Sequence, residues 1–140
     1  MNPLEHEIYL EPEHWAQMEA DVSAKEPEEA CGIVAGLANR SSMVIPVTNM
    51  LHSPNKFRME PAEELNAFYI AEREGLEIIA IYHSHPHGMG EPSITDFTEL
   101  TFPGIIYLIW YKDSIKWQCR GFLMDKSHKK CEIQVIITME

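Results

Sequence analysis

Cysteine is scarce in this sequence, which has Cys31, Cys119 and Cys131 in 140 residues. The count is odd and no two of them form a C-x-x-C pair, so neither a disulfide framework nor a structural zinc knuckle is predicted. We expect each thiol to pack as a small apolar side chain, including Cys31. This cysteine usage indicates a protein of the reducing cytoplasm.

Long apolar runs and basic residues are also in short supply. The N-terminal segment Met1–Glu7 is acidic and without an apolar stretch, so we expect neither a signal peptide nor a membrane span there. Eleven Lys and Arg against 22 Asp and Glu give a formal net charge of −11 at pH 7. This charge argues against nucleic acid or an anionic membrane as partner and favours basic faces of partner proteins. No linker or repeat is visible, so we expect residues 1–140 to form one domain.

The apolar pattern predicts alternating helices and strands. Helical spacing indicates helices at Pro12–Ala24 and Pro61–Gly75, each with proline in its first turn. Their apolar stripes are Trp15, Met18 and Val22 on the first helix, and Leu65, Phe68 and Ala71 on the second. Strands are predicted at Ile8–Leu10, Gly32–Leu37, Met43–Thr48, Leu76–Tyr82, Ile105–Tyr111, Ile115–Met124 and Cys131–Thr138. The elements predict a mixed β-sheet flanked by helices, an α/β or α+β layer fold.

The most informative segment runs from Ile81 to Phe97. Two histidines, His83 and His85, follow a buried strand and are separated by one residue. Side chains at i and i+2 of an extended segment share a face, so both imidazoles can bind one ion. Asp96, beyond a turn rich in Gly and Pro, is the candidate third ligand. Two imidazoles and one carboxylate leave a fourth tetrahedral position for water, which is typical of a catalytic zinc site.

Parts of this pattern have simpler readings. A His-x-His pair alone is weak evidence, because exposed or hydrogen-bonded histidines are commoner than ligands. Ser93 and Asp96 are spaced as a helix N-cap and its third residue, and this capping role is compatible with a place in the site. A zinc deaminase needs an H-x-E and a P-C-x-x-C pair, and the sequence has neither. A metal-storage protein, which binds without turnover, stays open.

The order His83-Ser84-His85, seven residues, Ser93, two residues, Asp96 resembles the signature of the JAMM metalloprotease family, the catalytically active MPN domains. The resemblance implies an MPN/JAMM-like fold of the cytidine-deaminase-like layer class. It also implies one Zn²⁺ per chain with His83, His85 and Asp96 as metal ligands. Co²⁺, Mn²⁺ and Fe²⁺ also suit these ligands, and zinc is the default because hydrolysis needs no redox change.

The family also has a glutamate before an apolar strand, and Glu29, two residues before Cys31, is its match here. Without the resemblance, Glu29 reads as a solvated glutamate in a charged turn. The resemblance implies catalytic roles for two residues, Glu29 as general base and Ser93 as hydrogen-bond donor to the oxyanion. The resemblance extends from about Ile8 to about Ile137. The family members that the chain resembles are the small single-domain prokaryotic ones.

Family members cleave peptide or isopeptide bonds next to the C-terminal Gly-Gly of ubiquitin-like proteins, and the small prokaryotic ones act on ubiquitin-like sulfur carriers. The resemblance therefore implies a zinc metallopeptidase or isopeptidase whose substrate partner is such a tail. A narrow channel beside a sheet edge would suit glycines, and we expect its walls at Ser53–Met59, which includes Phe57, and at Gly88–Gly90. The alternative function is a non-catalytic MPN-type binding or scaffold module for a ubiquitin-like partner.

The remaining histidines and the late aromatic residues have structural interpretations. The histidines predicted at the surface or in turns are His6, His14, His52, His87 and His128. Trp110, Tyr111 and Trp117 are expected in the core or in cross-strand pairs. The sequence predicts no oligomeric state.

Overall fold

The structure is a computed structural model that describes residues 7–139. Seven strands and three helices lie in that range. In chain order they are β1 Glu7–Leu10, α1 Pro12–Ala24, β2 Cys31–Leu37, β3 Arg40–Val47, α2 Pro61–Arg73, β4 Glu77–His85, α3 Ile94–Thr98, β5 Ile106–Asp113, β6 Lys116–Met124 and β7 Lys130–Ile137. The predicted α/β content is confirmed. His6 and the segment before Glu7 lie outside the described residues.

The strands form one mixed sheet in the order β1-β3-β2-β4-β5-β6-β7. The sheet closes on itself, because β1 pairs in parallel with β7 over four residues and with β3 at Tyr9 and Arg40. The layer fold expected from the sequence is therefore corrected to a closed barrel. Closure joins the first strand to the last, and local apolar patterns do not encode such a distant pairing.

Local signals explain several element ends. Ala38 and Asn39 both have positive φ, 51° and 58°, and form the two-residue hairpin turn between β2 and β3. The Glu60 carboxylate accepts the backbone N–H groups of Ala62 and Glu63 and caps α2. Gly75, with φ of 72°, ends the turn after α2 and leads into β4.

The barrel strands bury apolar side chains in two clusters, each covered by helical residues. One includes Met18 and Val22 of α1 with Trp110 and Trp117, so these predicted core positions are confirmed. The other contains the apolar residues beside His83 and receives Ala67 of α2. Its buried members are Cys31, Ile33, Val47, Met59, Ala67, Ile81, Phe97, Leu100, Tyr107, Ile109, Phe122 and Met124.

Three placements differ from the sequence predictions. Leu65 is 64% exposed, because α2 turns Ala67 and Ala71 towards the sheet instead. His14, expected at the surface, is 6% exposed because its Nδ1 lies 2.6 Å from the hydroxyl of Ser41. Ile115, expected in a strand, is exposed in the turn before β6.

None of the helices between residues 7 and 139 is both long and apolar enough to span a bilayer.

Candidate metal centre and active site

Strand β4 supplies both histidines. It continues to His85, three residues past the predicted end at Tyr82, so the histidines belong to the strand itself. Cys31 of β2 pairs with His83 on one side and Ile109 of β5 on the other, which places His83 in the middle of the sheet. His83 is fully buried and His85 is 7% exposed.

Helix α3 supplies the carboxylate. Ser93 caps this short helix, with its Oγ accepting the Asp96 N–H at 3.0 Å. In return, Asp96 Oδ2 accepts the Ser93 N–H at 2.8 Å, which completes a capping box. The predicted capping role and a place beside the histidines therefore hold together.

Three ligand atoms converge at one point. The Nε2 atoms of His83 and His85 are 3.1 Å apart, and each lies 3.2 Å from Asp96 Oδ2. Zinc bonds of about 2.0–2.1 Å in a tetrahedron place ligand atoms about 3.3 Å apart, so this triangle fits such an ion with little adjustment. Glu29 also has a ligand-type atom within 4.8 Å of both histidines, but the tighter triangle is the one that includes Asp96.

The surroundings of each histidine fix its ring. The Met89 carbonyl lies 2.8 Å from His85 Nδ1. Because a carbonyl can only accept, Nδ1 carries the proton and the Nε2 lone pair is free for a metal. Phe57 stacks on the His83 ring at a centroid distance of 4.5 Å. The Nδ1 atom of His83 is buried and has no hydrogen-bond partner within residues 7–139.

Backbone contacts place Glu29 next to this triangle. Its N–H donates to the Ser53 carbonyl at 2.8 Å, and its carbonyl accepts from Asn49 Nδ2 at 3.0 Å. The residue is 3% exposed, and Oε1 has no hydrogen-bond partner in the part of the chain that the structure describes. Burial raises the pKa of Glu29 to about 7, against the opposing effect of His83 and His85. The solvated-glutamate reading does not fit this placement.

Hydrogen-bonding and charged partners set the direction in which the pKa values of Asp96 and His85 shift. Burial by itself would raise the pKa of Asp96, but both imidazoles and the Ser93 N–H hold that pKa well below its usual range. Burial would also lower the pKa of His85, yet hydrogen bonds to Asp96 and the Met89 carbonyl raise it above the ordinary value. An ionised carboxylate beside two imidazoles is a donor set that suits a divalent cation.

Sequence reasoning assigned no role to three groups that build the site. Asn49, 1% exposed, also holds the loop before α2, since its Oδ1 accepts the N–H groups of Leu51 and Arg58 at 3.1 Å. Ser84 turns away from the histidines, and its Oγ accepts the Ala30 N–H at 2.8 Å. The third group is the Met89 carbonyl. The signal available in the sequence for Asn49 was its place directly after the predicted strand Met43–Thr48.

A cavity of about 210 Å³ opens beside His83 and Asp96. Its apolar lining is Phe57, Met59, Ile81, Leu100, Phe102 and Tyr107, and its polar lining includes Arg58, Glu64 and Glu99. Of the two predicted walls, the segment around Phe57 lines this cavity. The other wall lies elsewhere, since Gly88 approaches the His85 side chain and Gly90 the Tyr111 ring.

The fold and the donor set together are those of an MPN-type domain with a candidate metal centre. The family model for prokaryotic homologs of the JAB domain matches residues 11–120, and the chain belongs to this family.

Curated relatives resemble most of the chain. A desampylase from Pyrococcus furiosus is 30% identical over 126 residues, 90% of this chain and 88% of the relative. A probable TtuB-protein conjugate cleaving protease from Thermus thermophilus is 36% identical over 74% of this chain and 66% of its own. A CysO-cysteine peptidase from Mycobacterium tuberculosis is 34% identical over 75% and 74%.

Solved structures agree on the fold. The solution structure of protein DSY2949 from Desulfitobacterium hafniense has a TM-score of 0.85 at 30% identity, covering 95% of this chain and 94% of that one. AF2198, a JAB1/MPN domain protein from Archaeoglobus fulgidus, has a TM-score of 0.53 at 15% identity and covers 93% of this chain and 98% of that one. The second likeness supports the fold alone.

Proposed function

We propose that the protein is a zinc-dependent peptidase or isopeptidase that cleaves next to the C-terminal Gly-Gly of a ubiquitin-like sulfur-carrier protein. The observation that carries this proposal is the buried triangle of His83, His85 and Asp96, with the Glu29 carboxylate beside it. His83, His85 and Asp96 would hold the ion. When bound, zinc supplies Lewis acidity and lowers the pKa of a coordinated water to about 7.

Glu29 is the proposed general base. Its buried Oε1 has no partner within residues 7–139 and is free to accept a proton from the attacking water. The same carboxyl would then return the proton to the leaving amine, so that the peptide bond breaks with a neutral amine as product. Burial raises the pKa of Glu29 to about 7, which suits a carboxyl that takes up a proton and then returns it.

Ser93 is the proposed donor to the oxyanion. In the capping box its Oγ accepts a backbone N–H, which uses a lone pair and leaves the hydroxyl hydrogen free to donate. The hydrogen bond from the Asp96 N–H to the Ser93 Oγ fixes the position of this hydroxyl at the start of α3. Removal of one such donor typically costs a factor of about 10²–10³ in rate.

The substrate class follows from the relatives and from the shape of the site. Relatives are named for desampylation, for cleavage of TtuB-protein conjugates and for cleavage of CysO-cysteine. We infer that this chain acts on a tail of the same kind. The cavity beside His83 has a volume of about 210 Å³ and is lined by Phe57 and Met59, which suits an extended chain with small residues next to the scissile bond.

A cleavage assay with two neighbouring glutamates tests the proposal. The substrate is a sulfur-carrier protein that ends in Gly-Gly and is fused to a peptide, and cleavage is followed by mass spectrometry. We expect Glu29→Gln to lower kcat by at least about 10²-fold. Glu28→Gln is the matched control, since Glu28 pairs with His52 at 3.1 Å at the surface, and we expect it to keep wild-type activity.

Equal activity of Glu29→Gln and wild type would exclude Glu29 as the base. A zinc-loaded wild type that binds Gly-Gly-tailed proteins without cleaving any of them would favour the alternative, a binding module.

A further inference from the structure

The loop of residues 86–92, called the active-site loop below, is tied by charge to distant strands. Glu91 on this loop pairs with Arg120 of β6 at 2.6 Å and also with Lys130 of β7. Arg120 in turn binds both carboxylate oxygens of Glu132, at 2.7 and 3.0 Å. The four side chains form one network whose two cations come from different strands.

The active-site loop also contacts His85, one of the proposed metal ligands. The Met89 carbonyl, two residues before Glu91, accepts the Nδ1–H of His85 at 2.8 Å. Gly90 between them is buried against Tyr111, and a Cβ there would lie 2.4 Å from the ring. The backbone therefore passes through a tight gap directly between the ion pairs and the carbonyl that orients His85.

We propose that Glu91 is a positioning residue for the metal centre. Its pairing with Arg120 and Lys130 fixes the active-site loop so that the Met89 carbonyl stays in contact with His85. This inference rests on the proposed function, because it assumes that His85 binds the metal. Partners that orient a ligating histidine typically change metal affinity by 10–100-fold when they are removed.

The geometry of this network makes its ion pairs more rigid than an isolated pair at the surface. An isolated exposed ion pair contributes little, whereas a bidentate pair within a network is more rigid. The Glu91 side chain is 35% exposed and that of Arg120 is 31% exposed. Arg120 also lies over the ring of the buried Phe122, with its guanidinium carbon 5.2 Å from the ring centroid. The contacts with Phe122 and Glu132 therefore orient the Arg120 guanidinium that pairs with Glu91.

Zinc affinity of two glutamate variants tests the proposal. Tag-free protein competes with a chromophoric chelator for Zn²⁺, and the zinc dissociation constant is measured for wild type, Glu91→Gln and Glu132→Gln. We expect Glu91→Gln to raise the dissociation constant about tenfold. Glu132→Gln removes a partner of the same Arg120 without touching the active-site loop, and we expect its dissociation constant to stay within about twofold of wild type.

Two further measurements separate positioning from general stability. Arg120→Gln should weaken zinc binding in the same direction, and its combination with Glu91→Gln should be no worse than the more affected single variant, because both variants remove the Glu91–Arg120 pair. Melting temperatures of the zinc-free variants should fall alike for Glu91→Gln and Glu132→Gln. The proposal is overturned if Glu91→Gln binds zinc as wild type does, or if Glu132→Gln weakens zinc binding equally. Absence of zinc binding in wild type would instead overturn the proposed function.

Discussion

Asp96 shows how single residues serve the fold and the site together. Its Oδ2 accepts the N–H of Ser93 and also completes the triangle with the two histidines. The short helix α3 and the candidate metal centre therefore depend on the same atom. At this scale the chemistry is set by which lone pairs are already occupied and which are left free.

Phe57 gives a prediction at the residue scale. Its ring stacks on His83 and lines the cavity, so Phe57→Ala removes an apolar wall next to the proposed scissile bond. We expect kcat/KM for a Gly-Gly-tailed substrate to fall about tenfold, equivalent to about 1.4 kcal/mol of lost apolar contact. Tyr69→Ala, at an α2 position that is 71% exposed, is the control and should have no effect. An unchanged kcat/KM for Phe57→Ala would remove Phe57 from the substrate path.

The sequence predicted the candidate ligands better than their surroundings. Motif spacing identified His83, His85 and Asp96, the family resemblance added Glu29 and Ser93, and the structure brings all five into one region. The roles assigned to them stay predictions. The Met89 carbonyl was not predictable, because every residue type carries the same carbonyl and only the loop path selects one of them. His14 was misplaced because its partner Ser41 is distant in sequence.

Elements meet at close backbone approaches that glycine permits. Gly32 of β2 pairs with Tyr82 of β4, and a Cβ at Gly32 would lie 2.3 Å from the Tyr82 ring. The same end of the ring is held in place, since the Tyr82 hydroxyl donates to Asp21 of α1 at 2.6 Å. The strand that leads to the histidines, its neighbour and the first helix are thereby locked together.

Gly32→Ala tests this lock at the scale of elements. We expect the free energy of unfolding to fall by about 2 kcal/mol, because the tyrosine ring has no room to move away. Gly121→Ala is the control, since its Cβ would come no closer to a neighbour than 3.2 Å, at Val135 Cγ2, and it should cost less than about 1 kcal/mol. Urea denaturation measures both. Equal stabilities of the two variants would contradict the proposed role of Tyr82.

Element positions were largely predictable, and their ends less so. Apolar periodicity gave the limits of α1, and the observed strand β4 runs past its predicted end to include both histidines. The polar side chains there broke the apolar pattern, although the backbone pairing with β2 continues to His83. On α2 the burial of small alanines left Leu65 exposed, which helical spacing alone does not distinguish.

Closure by β1 organises the whole molecule. Leu10 and Ile8 are fully buried, and β1 is the strand that joins β7 to β3. Neither the closed barrel nor its strand order was predictable from local patterns, because both depend on contacts between the chain's first and last strands. Cytoplasmic location and one domain over residues 1–140 stay predictions, as does a partner with basic faces.

Leu10→Ala tests the contribution of closure. We expect the free energy of unfolding to fall by about 2–5 kcal/mol, because a fully buried side chain is lost from the strand that closes the barrel. Leu37→Ala makes the same chemical change at a 49% exposed position and should cost less than about 1 kcal/mol. Urea denaturation followed by circular dichroism compares them. A similar cost for both would mean that β1 adds little to stability.

The central claim is that His83, His85 and Asp96 form a metal centre beside a base that is not a ligand. Elemental analysis of tag-free wild type, Glu29→Gln and His85→Ala tests it most directly. We predict about one zinc per chain in wild type and in Glu29→Gln, and none in His85→Ala. Absence of metal from wild type after reconstitution with zinc would contradict the account, and loss of zinc from Glu29→Gln would make Glu29 a ligand instead of the base.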